Sequence, residues 1–183
     1  MIGNDIIDLN LAKKTSNWKR KGFLEKQFTK KEQTLIHNTN DCFKMVWLLW
    51  SMKESAYKAY TQQNEERFFA PKKFECHLSA IKFGTVCFQN QEFYTKSSLN
   101  DNYIFTTSSL DKETKIHSEI LNPSTIERSI KNQLAKELGF NTKEINKRKS
   151  RTGVPNYYNQ GNRLTKSCSI SHHGNYGAFS LLL

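Results

Sequence analysis

Apolar side chains recur at three- and four-residue steps through Phe43, Val46, Trp47 and Trp50. That period is helical, and Asn40 or Asp41 can cap its start, so a helix is expected over Asp41–Tyr60. The same period returns at Ile126, Ile130, Leu134 and Leu138. There Asn122-Pro123 offers a cap followed by proline at the first helical position, and Gly139 supplies a stop. Thr29 with Glu32 three residues later fits a capping box for a shorter helix carrying Leu35 and Ile36. The basic segment before it reads as helical around Trp18 to Phe28.

Elsewhere the pattern is that of strands. Ile2 to Leu9 reads as a short one with carboxylates at Asp5 and Asp8. Between Lys73 and Ser109 come short runs rich in Phe, Tyr, Val, Ile and Thr. Phe74–Leu78, Thr85–Gln89, Glu92–Lys96 and Tyr103–Thr107 are the expected strands, with turns at Asn90-Gln91 and Ser98–Asn102, giving an antiparallel meander. Thr61–Lys72 reads as a polar loop interrupted by Phe68, Phe69 and Pro71, and Leu110–Glu119 as a linker. After the second long helix a basic run leads to a Gly153-Val154-Pro155 turn. Two closing strands follow, around Ser167–His172 and Tyr176–Leu183. Each half pairs a helix with an antiparallel sheet. The expected fold is therefore α+β, with two pseudo-symmetric lobes, 1–115 and 116–183, in one structural unit.

Charge narrows the choice of partner. With 183 residues, 28 Lys and Arg against 17 Asp and Glu, the formal net charge is +11. The excess is clustered, in Lys13, Lys14, Lys19, Arg20, Lys21, Lys26, Lys30 and Lys31 and again in Lys143, Lys147, Arg148, Lys149 and Arg151. Such clusters attract phosphates, nucleic acid or acidic proteins. Cys42, Cys76, Cys87 and Cys168 form no C-x-x-C pair, which argues against a zinc site or a disulfide framework and for a reducing cytoplasm. No basic and apolar leader and no long apolar run is seen, so neither secretion nor a membrane span is expected.

Three constellations carry chemistry. In Gly3-Asn4-Asp5-Ile6-Ile7-Asp8, a glycine permits close approach and a carboxylate at a strand end can bind a hard cation. Glu54 and Lys58 sit one helical turn apart, with Lys53 beside them. One carboxylate and two ammonium groups suit a magnesium–phosphate cluster. In Ser169-Ile170-Ser171-His172-His173-Gly174 a strand places Ser169, Ser171 and His173 on one face and Ile170 and His172 on the other, and hydroxyl and imidazole can grip a phosphate. No nucleophile triad and no glycine-rich nucleotide loop occurs.

Taken together, Gly3-x-Asp5, Trp50-Ser-x-Lys53-Glu54-Ser55-x-x-Lys58 and Ser169-x-Ser171-His172 resemble the 4′-phosphopantetheinyl transferase superfamily. The Trp-Ser-Met-Lys-Glu-Ser string, preceded by Phe28-Thr29-x-x-Glu32, is close to that of its surfactin-synthetase-activating branch. The motif order, however, matches the short holo-acyl-carrier-protein synthase branch, so the chain resembles a circular permutation of the two-lobed form. The resemblance implies a single-chain pseudo-dimer, with a trimer sharing its sites as the alternative. It also implies transfer of phosphopantetheine from coenzyme A to a serine of an acidic acyl or peptidyl carrier protein, releasing 3′,5′-adenosine bisphosphate.

In that scheme Asp5 and Glu54 hold Mg2+. Lys53, Lys58, Ser171 and His172 bind phosphate, with Glu54, Lys58 and His172 acting catalytically. Arg128 or Lys131 and the backbone at Gly153 and Pro155 contact coenzyme A, and Glu54 or a metal-bound water takes the serine proton. The branch's second acidic position is Ile7, with Asp8 one further on, and its turn lysine is Val154. The basic segment Lys13–Lys31 is the implied carrier-docking surface. Two rival readings remain. One is a basic nucleic-acid-binding module with Phe74, Phe88, Phe93, Tyr103 and Phe105 as a stacking platform. The other is a non-catalytic relative that binds a carrier.

Overall fold

The computed structural model describes residues 1–183. The first strand, β1 (Ile2–Asp8), leads into α1 (Leu9–Thr15), α2 (Phe23–Gln27), α3 (Lys30–His37) and the 23-residue α4 (Cys42–Asn64). Strands β2 (Glu75–Ala80), β3 (Phe83–Phe88), β4 (Gln91–Leu99) and β5 (Tyr103–Ser109) form the meander. It returns so that β5 pairs with β1, giving a five-stranded antiparallel sheet of order β1-β5-β4-β3-β2. Next come β6 (His117–Leu121), α5 (Ile126–Leu138), β7 (Asn146–Lys149), β8 (Pro155–Asn159), β9 (Asn162–Arg163), β10 (Ser167–His173) and β11 (Tyr176–Leu182). These make two three-stranded sheets, β10-β11-β6 and β7-β8-β9. The architecture is α+β with antiparallel sheets.

α4 lies on one face of the large sheet. Its Val46, Leu49, Met52, Ala56 and Ala59 are buried with Phe74, Val86, Phe93 and Ile104. The capping box predicted at the start of α3 is present: Thr29 Oγ1 accepts the Glu32 N–H and the Glu32 carboxylate accepts the Thr29 N–H. α5 packs Ile126, Ile130 and Leu134 on Cys168, Phe179 and Leu181 of the β10–β11 pair. The opposite face of that pair meets the large sheet through Ala178 against Ile6 and Phe105. The order of layers is thus α4, five-stranded sheet, β10–β11–β6 sheet, α5.

β1 is buried along its whole length. A Cβ on Gly3 would lie 1.9 Å from the Ser55 carbonyl oxygen and 2.8 Å from the Ala59 nitrogen, so only glycine lets strand and helix backbones meet this closely.

Local polarity misleads in four places. The helix expected over Trp18–Phe28 is confined to Phe23–Gln27, because turns closed by Arg20 N–H to Asn17 O and Phe23 N–H to Arg20 O occupy the stretch before it. α1 forms instead, capped by Asp8, whose Oδ1 accepts the Leu11 N–H. α4 continues past Tyr60 to Asn64, its last turn bonded by Thr61 Oγ1 to Lys58 O and Asn64 Nδ2 to Tyr60 O. The expected linker ends in β6, which exists by virtue of its pairing with the distant β11. No helix is long and apolar enough to cross a membrane.

Candidate active site

The site is built on the outer edge of β1. β5 occupies one edge of that strand; the other has no partner strand, and its backbone groups are taken by side chains. β10 runs alongside at a constant offset of 165 residues. Ser167 Oγ accepts the Ile2 N–H at 3.1 Å, Ser169 Oγ the Asn4 N–H at 2.9 Å, and His173 Nδ1 the Asp8 N–H at 2.9 Å. From the helix side, Gln62 Nε2 donates to Ile2 O at 2.8 Å and Lys58 Nζ to Asn4 O at 2.9 Å. The two spacings nearly agree, since four helical residues rise about 6 Å and two strand residues about 6.6 Å. Successive rungs are therefore Ile2 with Ser167 and Gln62, then Asn4 with Ser169 and Lys58.

The third rung would be Ile6 with Ser171 and Glu54, and here the ladder changes character. Ser171 Oγ is buried and has no hydrogen-bond partner. In place of a donor, α4 presents a carboxylate. On the strand, Asp5 Oδ1 accepts from Lys58 Nζ at 3.1 Å, while its Oδ2 is buried without a partner. The interruption of the ladder is lined by groups that need a ligand.

Its electrostatics point the same way. Burial pushes the Asp5 carboxyl above its usual range, outweighing Lys58, Ser51 and the His173 ring, which pull it down. Glu54 is pushed up to about 7, first by burial and then by the Asp5 charge, with Lys58 opposing. Two buried carboxyls of raised proton affinity beside one lysine lack a positive charge. A divalent cation fits that deficit. No third His, Cys, Asp or Glu joins the pair, and two carboxylates completed by phosphate and water are the manner in which Mg2+ is usually held.

Lys53, expected to contact phosphate, is placed elsewhere. Its ammonium and the Glu32 carboxylate are each 1% exposed and lie 2.7 Å apart. Lys53 also donates to Phe74 O, and Glu32 accepts the Cys76 N–H at 2.7 Å. The pair ties α3, α4 and β2 together, and the ammonium, over the Phe28 ring in the core, is turned away from the site. The wheel carries the signal: Lys53 shares its stripe with the buried Val46, Leu49, Ala56 and Tyr60, one step away from Glu54 and Lys58. Lys53→Met is expected to cost about 3–5 kcal/mol by stranding the Glu32 charge. Adding Glu32→Gln should recover part of that loss. Urea unfolding of the two single variants and the double one measures the coupling, and strictly additive losses would contradict it.

Asp8 is engaged as a clasp. Its carboxylate takes the Leu11 N–H and, across the layers, the Asn175 N–H at 3.0 Å. Burial alone would raise its pKa, but these backbone bonds outweigh it and hold the carboxyl below its ordinary value. His173 joins Asp8 to β10 and sits within electrostatic reach of Asp5, whereas His172 is exposed on the other face of the strand. The alternation of β10 contained His173's placement.

Arg128 is exposed on α5, and Lys131 lies 3.7 Å from Glu127; neither touches the carboxylate pair. The Gly153 N–H is used within its own turn, on Ser150 O, and Pro155 has none to offer. Arg67, which sequence reasoning passed over, packs on that turn: a Cβ on Gly153 would lie 2.7 Å from its Nη2. Phe74, Phe88 and Phe93 are buried in the core, so they cannot form a nucleic-acid stacking platform.

A family model described as the 4′-phosphopantetheinyl transferase superfamily matches residues 1–109. No curated protein matches the chain. Among solved structures, the crystal structure of Thermotoga maritima holo-(acyl-carrier-protein) synthase is similar with a TM-score of 0.47 at 14% sequence identity, covering 88% of this chain and 83% of that one.

Proposed function

The chain belongs to the 4′-phosphopantetheinyl transferase superfamily, and on that premise we propose that it transfers 4′-phosphopantetheine from coenzyme A to a serine of an apo carrier protein. The reaction needs Mg2+ and releases 3′,5′-adenosine bisphosphate. The observation that carries this reading is the paired carboxylates Asp5 and Glu54, both of raised proton affinity, with an unpartnered Asp5 oxygen beside Lys58. Attack on a pyrophosphate needs mainly positioning and charge neutralisation. Asp5 and Glu54 would hold the magnesium ion, which when bound offsets the charge that develops on the phosphate oxygens.

Lys58 has three N–H donors and two are committed, to Asn4 O and Asp5 Oδ1. The third is the donor for phosphate. Ser171 offers its unpartnered hydroxyl. The exposed His172, on the face of β10 that packs towards α5, is the imidazole available at the rim, and Arg128 or Lys131 would take a coenzyme A phosphate further along that helix. Arg67 supplies the cation that the Val154 turn does not carry. Asp5, Glu54, Lys58 and Ser171 all belong to one copy, which supports a monomeric transferase over a trimer with shared sites.

Lys13, Lys14, Lys19, Arg20, Lys21, Lys26, Lys30 and Lys31 are all exposed, and of these only Lys31 has an ion-pair partner, Glu75 at 4.0 Å. They would dock an acidic carrier. Carrier affinity should fall roughly tenfold between 50 and 200 mM salt, as screening shortens the reach of these charges. A salt-independent dissociation constant would remove this surface from the interface.

The activity itself is tested by mass spectrometry of an apo carrier incubated with the protein, coenzyme A and Mg2+. A gain of one phosphopantetheine that disappears when the metal is chelated is the expected result. Binding of carrier or oligonucleotide without any mass gain would overturn it.

A further inference from the structure

We propose that Ser169 is a positioning residue for this transfer, fixing Lys58 and Asp5 through the intervening Asn4; the inference rests on the transferase reading above. Asn4 is fully buried. The Ser169 hydroxyl accepts its backbone N–H at 2.9 Å and donates to its Oδ1 at 2.8 Å, so one side chain of β10 grips both the peptide and the amide of that residue. The Asn4 carbonyl, in turn, accepts from Lys58 Nζ at 2.9 Å, and Asp5, next in sequence, accepts from the same ammonium at 3.1 Å. Two bonds in succession thus run from Ser169 to the cation meant for the diphosphate.

The physical need is specific to lysine. An ammonium on a four-carbon stem is a point charge whose direction is set by its acceptors. With Asn4 O and Asp5 Oδ1 held still, its remaining N–H has one direction. If Asn4 drifts, that donor drifts with it. Removing the Ser169 hydroxyl would leave Asn4 Oδ1 without a partner beside an Nδ2 that already has none, in a site with no exposure to water.

The neighbouring rung is an internal control. Ser167 is as buried as Ser169 and makes the same kinds of bond, accepting the Ile2 N–H at 3.1 Å and donating to Gln62 Oε1 at 2.6 Å. Its network contains neither cation nor carboxylate. A serine that merely fastens β10 to β1 should behave alike at both positions; one that positions Lys58 should not.

The experiment compares Ser169→Ala with Ser167→Ala in the carrier assay with coenzyme A and Mg2+, alongside thermal melts and calorimetric titration with coenzyme A alone. Both variants should melt a few degrees lower. Ser169→Ala should lower kcat about tenfold with KM for the carrier unchanged, and bind coenzyme A several-fold more weakly. Ser167→Ala should keep both within about twofold of the parent chain. Equal kcat and equal coenzyme A affinity in the two variants would overturn the proposal. If Ser169→Ala does not fold, Ser169→Cys and Ser167→Cys, which preserve volume and weaken the hydrogen bonds, are compared on the same terms. An unsubstituted chain that transfers nothing would refute the transferase reading instead, so the two failures are told apart.

Discussion

A Glu54→Ala variant is expected to lose about 10²–10³-fold in transfer rate while keeping its fold, because in the proposed transfer it removes one of the two carboxylates that would hold the charge-neutralising metal. Survival of the fold follows from the electrostatics of the unliganded site. The Glu54 carboxyl is raised from 4.5 to about 7 by burial and by Asp5. A carboxyl whose pKa is raised on folding stabilises the protein fully below its unfolded value. That stability is lost as the pH rises through the folded value, here between about 4.5 and 7. The shift corresponds to a loss on the order of 3 kcal/mol. The metal-free protein should therefore melt at progressively lower temperature from pH 5 to pH 8, and Glu54→Ala should flatten that slope. At pH 8 Mg2+ should raise the melting temperature of the parent chain and leave the variant's unmoved. Near-normal transfer by Glu54→Ala would refute the metal assignment, and an unchanged pH slope would refute the buried carboxylate pair.

The residues of this site were legible to different degrees, and the reason is the range over which each is determined. α4 and α5 announce themselves because their apolar stripes and caps are local: Asp41 accepts the Lys44 N–H, and Thr29 and Glu32 close their box within one turn. The adjacency of Glu54 and Lys58 follows from the same 3.6-residue period. β6 and β7 were invisible because neither alternates in polarity. β6 is made by its register with β11, and β7 (Asn-Lys-Arg-Lys) by cross-strand pairs such as the Arg148 guanidinium 5.1 Å from the Tyr158 ring.

The serine row of β10 is legible as alternation, but nothing in it says that its partner is the bare edge of β1, some 165 residues away. The Trp-Ser-Met-Lys-Glu string shows a related limit: it presents Lys53 and Glu54 as neighbours, yet a helix turns 100° between them. One ends in the core with Glu32 and the other at the site.

Gly3→Ala is expected to be severely damaging, costing about 3 kcal/mol or more and producing largely unfolded or insoluble protein. The added methyl carbon would lie 1.9 Å from the Ser55 carbonyl oxygen, 2.8 Å from the Ala59 nitrogen and 2.9 Å from the Ser55 carbonyl carbon. All three are helix backbone atoms, so no rotamer change relieves the overlap. Either β1 lifts from α4 or the helix shifts. Both movements separate Asp5, two residues from Gly3, from Glu54 and Lys58, which flank Ser55 on the helix. Stability and chemistry are consequently lost together, even in the fraction that folds.

Gly139→Ala separates this effect from the ordinary cost of replacing glycine. Gly139 has φ 74°, but a Cβ there meets nothing within 4 Å, so the strain of a left-handed backbone, about 1 kcal/mol, is all that is added. Denaturant midpoints of the two variants, with transfer rates normalised to folded protein, test the distinction. If Gly3→Ala costs no more than Gly139→Ala, or if its folded fraction transfers at the parent rate, the close seat of β1 on α4 is not what brings the carboxylates together.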